Sequence, residues 1–222
     1  MIRVQNLHKV YGHGPTAVHA LKGVNVEVKA GEFVAIMGRS GSGKSTLLHI
    51  LGLLDKPTEG EIYIDDTDVL QLREMDKTQF RLEKLGYIFQ EYSLIGELTI
   101  LENVFLPGLC SNGKRDYRSR AKEMLEIVGL GQRLGHYPNE ISGGEQQRVA
   151  IARSLINEPK ILFADEPTAS LDVESALTVL QLFKKLNREL GQTVVMVTHE
   201  PDDEIYVDRV IRVHSGNILE NE

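Results

Sequence analysis

The fold is decided by the stretch Gly38-Arg39-Ser40-Gly41-Ser42-Gly43-Lys44-Ser45, which fits the pattern GxxxxGK[ST] in full. It follows the apolar run Phe33 to Met37 and precedes a second apolar run, Leu47 to Leu54. The first run has no polar alternation, which is typical of a strand buried on both faces, and the second run predicts a helix. Backbone N–H groups of a glycine-rich loop and the start of a helix together bind phosphate oxygens. The order strand, loop, helix therefore predicts a nucleoside triphosphate site.

Individual side chains of this phosphate loop have predicted roles. Lys44 would neutralise charge on the β- and γ-phosphates, and the hydroxyl of Ser45 would ligate Mg²⁺. A Gly/Ser-rich turn that matches by chance is the alternative, and the flanking strand and helix disfavour it. Further contacts to the nucleotide are expected from Gly38, Ser40, Gly41, Ser42, Gly43 and Thr46.

Two adjacent carboxylates follow another apolar run, Ile161 to Ala164. Asp165 and Glu166 would lie at the carboxyl end of a strand, where ligands bind in α/β sheets. We expect Asp165 to hold Mg²⁺ through its water shell and Glu166 to accept a proton from the attacking water. Taken alone, the pair would fit two exposed loop acids equally well, but the phosphate loop favours the functional interpretation.

Apolar periodicity predicts an α/β fold with a mainly parallel sheet. Val24, Val26 and Val28 alternate with polar residues. An antiparallel sheet with one solvent-exposed face is therefore expected near the N-terminus. Thr193 to Val197 is a further buried strand. A helix with apolar residues spaced by three and four lies between the last two buried strands, which implies a parallel arrangement. Its predicted apolar face consists of Val173, Leu177, Leu180, Phe183 and Leu186.

The segment from Glu91 to Arg148 has the pattern of a helical insertion. Two helical stretches are predicted, near Leu101 to Leu106 and at Tyr117 to Val128. Residues typical of loops, such as Ser111-Asn112-Gly113, separate them. The sequence has no internal repeat and no Pro-rich linker. We therefore predict one domain over residues 1–222, in which residues 1–90 and 149–222 form the core and residues 91–148 form a helical subdomain.

Composition excludes several classes of function. The net charge of −7 and the absence of Trp argue against a basic nucleic-acid stripe, so no nucleic-acid partner is expected. No stretch reaches the roughly 18 consecutive apolar residues of a membrane span, and the N-terminus lacks a signal-peptide core. The single cysteine, Cys110, leaves no internal disulfide and no zinc cluster. A cytosolic location is the simplest expectation.

A second anion receptor is predicted at Ile141-Ser142-Gly143-Gly144-Glu145-Gln146-Gln147-Arg148. A serine hydroxyl, two glycines and a helix start repeat the chemistry of the phosphate loop. This stretch resembles the signature of ABC ATPases. The resemblance implies that Ser142, Gly143 and Gly144 face the γ-phosphate bound by the opposite subunit, so that two ATP molecules are sandwiched in a head-to-tail dimer. A glycine turn capped by Ser142 is the purely structural interpretation of the same residues.

The resemblance extends over essentially the whole chain and implies further roles. Tyr11 matches the aromatic residue that stacks on adenine, although a core tyrosine at a strand end is the alternative. Gln90, after a predicted strand at Gly86 to Phe89, matches the glutamine that contacts Mg²⁺ and the attacking water. Asp172, in Ser170-Leu171-Asp172, matches a loop that crosses between subunits, and a helix cap is its alternative. His199 matches the histidine that senses the γ-phosphate, whereas the other six histidines have no comparable placement.

The implied function is that of an ATP-hydrolysing subunit that drives a separate integral membrane permease from the cytoplasmic face of the membrane. Three stretches resemble the short ATPases of lipoprotein-release, macrolide-efflux and cell-division systems: Ser40 to Asp55, Leu98 to Pro107 and Thr193 to Glu200. One alternative is a non-transport ABC ATPase that regulates a membrane partner or acts on nucleic acid or ribosomes. A small-molecule kinase is the other, but it has no use for Ser142-Gly143-Gly144.

Overall fold

Two β-sheets carry the fold in the computed structural model, which describes residues 1–111 and 115–219. The strands are β1 (Ile2–Tyr11), β2 (Val18–Val28), β3 (Phe33–Met37), β4 (Glu59–Ile64), β5 (Thr67–Asp68), β6 (Leu85–Ile88), β7 (Ile161–Asp165), β8 (Thr193–Thr198), β9 (Arg209–His214) and β10 (Asn217–Leu219). The helices are α1 (Lys44–Leu51), α2 (Glu74–Lys84), α3 (Ile100–Leu109), α4 (Tyr117–Ile127), α5 (Gly143–Ser154) and α6 (Val173–Leu190). Short 3₁₀ segments lie at Gly14–Thr16, Pro138–Glu140 and Pro201–Tyr206.

The larger sheet has the strand order β10-β9-β3-β8-β7-β6. All of its neighbouring pairs are parallel except the β9–β10 hairpin. Every residue of β3 and of β8 is buried, as expected for parallel strands covered on both faces. The smaller sheet is antiparallel, in the order β2-β1-β4-β5. Both arrangements confirm the predicted fold class.

Strand register brings several loop starts to one edge of the larger sheet. Met37, the last residue of β3, pairs with Thr198, the last residue of β8. Asp165, the last residue of β7, pairs with Val197 one position earlier. Because the strands are parallel, the loops that follow them leave from the same side. The phosphate loop, Glu166 and His199 therefore begin as close neighbours.

Helix α1 lies where the sequence predicts a helix but has different bounds. It begins at Lys44 instead of Leu47, because the phosphate loop itself supplies its first turn. It ends at Leu51, since Gly52 follows and Leu53 adopts a left-handed backbone with φ 58°. Its apolar side packs in the core that the antiparallel sheet shares with the larger one. The phosphate loop is thus held between two packed elements.

The predicted apolar face of α6 is wrong at its first two positions. Val173 is 78% exposed and Leu177 is 42% exposed. They line an open groove of about 510 Å³ beside the segment 201–206 instead of covering the sheet. The buried side of α6 begins six residues after the helix start and consists of Val179, Leu180, Leu182, Phe183 and Leu186.

Helices occupy the middle segment as predicted. Helix α3 starts with a capping box, in which Thr99 and Glu102 exchange hydrogen bonds. Asn112 and Gly113 of the predicted loop lie outside the described residues. Buried residues of α3, α4 and α5 join the core beneath β6, β7 and β8, and the division into subdomains stays a prediction. The exposed helix α2 and the β9–β10 hairpin were not predicted.

Within residues 1–111 and 115–219, no helix is both long and apolar enough to cross a membrane.

Replacing Phe183 by Ala should lower the free energy of unfolding by about 3–5 kcal/mol, because it empties a large fully buried site. Phe183 is 0% exposed and its ring centroid lies 6.1 Å from that of Phe33. Equilibrium unfolding in urea measures the change. Val173→Ala on the same helix is the matched control and should stay within about 0.5 kcal/mol of the wild type. Equal losses in both variants would contradict the assigned buried face.

Candidate nucleotide site

The phosphate loop borders a cleft of about 530 Å³. Lys44 is only 6% exposed, and its Nζ donates to the carbonyl of Arg39 in the same loop at 3.3 Å. A Cβ atom at Gly38 would collide with the carbonyl of Val213, so only glycine fits where the loop leaves β3. The other residues that line the cleft include Tyr11, Lys22, Ser40, Gly41, Gly43, Ser45, Thr46 and Glu166.

The loop has unused capacity for binding an anion. The hydroxyl of Ser42 is buried and makes no hydrogen bond with the described residues. Buried hydroxyls normally have a partner, and Lys44 makes no salt bridge with a carboxylate of the described residues. A donor hydroxyl and a buried ammonium beside a helix start fit phosphate oxygens.

A pair of oxygen atoms fits a hard divalent cation next to the loop. The hydroxyl of Ser45 donates to Oδ1 of Asp165 at 3.1 Å, which joins α1 to the end of β7. Within the described ranges, no group of three or more His, Cys, Asp or Glu side chains is arranged so that it could hold a metal ion. Mg²⁺ in nucleotide sites uses one or two protein oxygens and completes its shell with phosphate and water. The chemistry of the pair therefore suits Mg²⁺.

His49, one of the six histidines for which no role was predicted, lies beside Asp165 in the structure. Nε2 of His49 lies 3.0 Å from Oδ2 of Asp165, so both oxygens of this carboxylate have partners on α1. His49 follows Ser45 by four residues, which places the two side chains on the same side of a helix. That spacing is the signal in the sequence that could have identified it.

Glu166 and His199 meet beside the loop. Nδ1 of His199 lies 3.3 Å from Oε2 of Glu166, and Nε2 of His199 lies 3.1 Å from Oε1 of Glu200. Glu166 has a left-handed backbone with φ 45°, and its N–H donates to the carbonyl of Val197 at 3.0 Å. Glu166 lines the clefts on both sides of Lys44. A carboxylate in this position can reach water near a bound γ-phosphate.

A buried carboxylate fixes the turn that carries His199. The hydroxyl of Thr198 donates to Oδ2 of Asp203 at 2.6 Å and accepts from the N–H of Glu200 at 3.1 Å. Asp203 is 4% exposed. Burial raises the pKa of Asp203, and the negative charges of Glu200 and Asp202 act in the same direction. Asp203 was not predicted as a site residue, because nothing in its local sequence pattern indicates burial.

The structure places Tyr11 and Gln90 on different elements, at the end of β1 and after β6. Tyr11 is 43% exposed and borders the cleft, so it is not a core tyrosine. Gln90 is exposed and follows β6, the strand next to β7. The carbonyl of Tyr92, two residues further on, accepts a hydrogen bond from Arg153 at 2.8 Å. The loop after Gln90 is thereby attached to the end of α5.

The second anion receptor lies away from the cleft of its own chain. Ser142 caps α5, accepting from the N–H of Glu145 at 3.2 Å, and Asp172 caps α6, accepting from the N–H of Ser175 at 2.9 Å. A Cβ atom at Gly144 would lie 2.6 Å from Oγ of Ser175, so the two helix starts are in contact. Among the described residues, those that line the clefts beside Lys44 include none of these groups. Gly143, next to Ser142, also lies at this helix start.

The parallel sheet, the phosphate loop after its central strand β3 and the carboxylate pair after β7, two strands away, define a P-loop nucleoside triphosphatase. The profile of the family described as ABC transporter matches residues 21–169. The chain therefore belongs to the ABC transporter family, as one of its ATP-binding subunits, and is an ATPase.

Individual relatives agree with this placement. The chain is 50% identical to an uncharacterised ABC transporter ATP-binding protein of Methanocaldococcus jannaschii, over 99% of this chain and 98% of the relative. It is 48% identical to the macrolide export ATP-binding/permease protein MacB of Chlorobium luteolum over 100% of this chain, but spans only 33% of that protein. Among solved structures, the dimeric post-hydrolysis state of the cassette MJ0796 bound to ADP and Pi is 46% identical and has a TM-score of 0.91. That match covers 100% of this chain and 98% of the other.

Asp203→Asn should change how stability depends on pH. The pKa of Asp203 is raised in the folded state. The wild type therefore loses stability as the pH rises from the ordinary pKa of aspartate in the unfolded chain toward the raised pKa of Asp203 in the folded chain. The asparagine keeps an acceptor for Thr198 and has no charge to bury, so the variant should gain stability relative to the wild type over the same interval. Urea unfolding between about pH 3.5 and pH 7 measures the difference. The exposed neighbour Asp202, changed to Asn, serves as the control, and parallel profiles for Asp203→Asn and the wild type would refute the raised pKa.

Proposed function

We propose that two copies of this chain close head to tail around two MgATP molecules, and that each site takes Ser142 of the partner subunit. The observation that carries this proposal is the placement of the second anion receptor outside the cleft of its own chain. A serine hydroxyl, two glycines and a helix start suit a phosphate, and a second copy can supply one. The dimeric state of MJ0796 named with ADP and Pi supports the same arrangement.

On one side of the proposed site, the phosphates are bound by the loop from Gly38 to Thr46. Lys44 offsets the charge of the β- and γ-phosphates, and the backbone N–H groups at the start of α1 bind their oxygens. Ser45, Asp165 and Gln90 would hold Mg²⁺, which when bound offsets further negative charge. The contacts of Asp165 with Ser45 and His49 keep its carboxylate in one orientation. Tyr11 provides the surface for adenine.

On the other side, hydrolysis needs a base and a fixed geometry. Glu166 accepts a proton from the attacking water, and His199, 3.3 Å from Glu166, fixes the position of that water and of the γ-phosphate. Catalysis of this kind is electrostatic and positional, with little covalent work for the protein. Asp172 caps α6, whose first turn contacts the start of α5 through Ser175, and it would cross to the partner subunit together with Ser142.

Glu166→Gln should trap an ATP-bound dimer, because it removes the base and keeps the shape of the side chain. Gel filtration with MgATP should give a dimer for the variant. The dimer should be lost when EDTA is added to remove Mg²⁺. Lys44→Ala in the Glu166→Gln background is the matched control and should remain monomeric, because nucleotide binding is abolished. If Glu166→Gln alone stays monomeric with MgATP, the sandwich arrangement is wrong for this chain.

We also propose that the chain works at the cytoplasmic face of the membrane with an integral membrane permease of the MacB type. The name of MacB joins an ATP-binding part to a permease, and this chain corresponds to a third of that protein's length. A groove of about 510 Å³ lies next to Gln90, and Phe89, Pro107, Cys110 and Arg153 contribute to its lining. The exposed apolar side chain of Leu109, 63% accessible, lies next to Cys110. This groove is the proposed docking place for a cytoplasmic segment of the permease.

Cys110 allows this docking place to be tested, since it is the single cysteine of the chain and is exposed. A photoactivatable cross-linker attached to Cys110 should capture an integral membrane protein when the chain is added to membranes of the source organism. Moving the cysteine to exposed Glu61 on the antiparallel sheet, as Cys110→Ser with Glu61→Cys, should abolish the product. Equal capture from both positions, or none from Cys110, would contradict the assignment of the groove.

A further inference from the structure

Lys9, Asp55 and Tyr11 form a hydrogen-bonded bridge at the edge of the nucleotide cleft. Nζ of Lys9 donates to Oδ1 of Asp55 at 2.7 Å and to the carbonyl of Lys56 at 2.6 Å. The hydroxyl of Tyr11 donates to Oδ2 of the same carboxylate at 2.7 Å. One carboxylate thus holds a lysine with one oxygen and a tyrosine with the other. We call these three residues the Tyr11 bridge.

The Tyr11 bridge is attached to the helix that follows the phosphate loop. Asp55 lies four residues beyond the end of α1, and the N–H groups of Leu54 and Asp55 both donate to the carbonyl of His49, at 2.8 and 3.3 Å. The bridge therefore connects the end of β1 to the far end of α1. It thus sets where the Tyr11 ring lies relative to the phosphate loop, while the packing of β3 and α1 holds the loop itself.

Lys9 also covers one face of the tyrosine ring. Its Nζ lies 4.6 Å from the ring centroid of Tyr11, within the range of a cation–π contact. Lys9 itself is 9% exposed, so the ammonium is held in place by its surroundings. Tyr11 remains 43% exposed on the cleft. One face of the ring is thus occupied by the lysine, and the exposed part of the ring is available to a flat ligand in the cleft.

The protonation states of the bridge suit this geometry. Burial alone would raise the pKa of Asp55, but hydrogen bonds from Lys9, Tyr11 and the Lys56 backbone lower it. Burial and the adjacent carboxylate raise the pKa of Tyr11. Asp55 is therefore ionised at neutral pH, while the phenol keeps the proton that it donates.

We infer that Lys9 and Asp55 are positioning residues that hold the Tyr11 ring ready for the adenine base and so set the base-dependent part of nucleotide affinity. The inference rests on the proposed nucleotide site. A ring fixed before binding loses less conformational freedom when a base stacks on it. Loss of the bridge should therefore weaken recognition of adenosine and leave recognition of phosphate unchanged.

Tyr63 on β4 of the antiparallel sheet is a matched control for Tyr11. The hydroxyl of Tyr63 donates to Oε2 of Glu61 at 3.1 Å, and Arg3 lies 4.6 Å from the centroid of its ring. Tyr63 thus has the same two kinds of contact as Tyr11. Among the described residues that line the phosphate-loop cleft, Tyr63 does not occur.

The test compares MgADP with magnesium pyrophosphate by titration calorimetry, since the two ligands differ by the adenosine group. Tyr11→Phe and Asp55→Asn should each weaken MgADP binding by about three- to tenfold, the range expected for one lost hydrogen bond. Pyrophosphate affinity should stay within about twofold in both variants, and Tyr63→Phe should change neither affinity. Thermal unfolding of each variant checks that it is folded. Should Asp55→Asn fail to fold, Tyr11→Phe still decides the question, because it keeps the ring.

Two results would overturn the inference. Unchanged MgADP affinity in Tyr11→Phe means that the bridge does not act on base recognition, and an equal loss for both ligands means that it acts on the phosphate loop or on the fold. Both results leave the nucleotide site itself intact, because the wild type still binds. A wild type that binds neither ligand would instead refute the proposed nucleotide site, and the inference with it.

Discussion

The buried ammonium of Lys44 is the constraint on which the rest of the structure depends. It is 6% exposed and, in the part of the chain that the structure describes, its hydrogen bond goes to a neutral carbonyl of its own loop. Removing such a charge from water without a counter-charge costs on the order of several kcal/mol. A loop with this cost is stable only because the strand before it and the helix after it are deeply packed. The packing of β3 and α1 thus supports a site that is ready for an anion.

The parallel sheet supplies the partners of that anion site. Since β3, β7 and β8 end at nearly the same level, the groups after each strand converge without any long loop. Asp165 is bound by Ser45 and His49 of α1, and Glu166 is close to His199. Two carboxylates beside a triphosphate would repel it unless a cation stood between them. The pairing of Asp165 with the serine hydroxyl places the carboxylate where such a cation would bind, and Glu166, which we propose as the base, pairs with His199 instead.

A short local pattern predicted the phosphate loop, and the presence of that loop favoured a functional role for the carboxylate pair. The order of buried strands and helices along the chain predicted the fold class. Contacts between distant segments could not be predicted in the same way. The bond between His49 and Asp165 joins residues 116 positions apart, and the bridge from Tyr11 to Asp55 joins residues 44 apart. The exposure of Val173 and Leu177 was also missed, since periodicity gives the face of a helix but not where the neighbouring element ends. Asp203 is an acid in the core, against the usual preference of its residue type.

Helix α5 gives the proposed dimer a physical connection between its parts. Its first residues carry the predicted anion receptor and contact the first turn of α6 at Ser175, while Arg153 in its last turn donates to the carbonyl of Tyr92 in the loop after Gln90. A helix is stiff along its axis, so a displacement of its first turn also displaces its last turn. Phosphate of the partner subunit bound at Ser142 would therefore act on the loop that borders the groove at Phe89. Helix α5 is thus an element shared by the proposed dimer contact and the proposed docking groove, of the kind through which coupling between distant sites can pass.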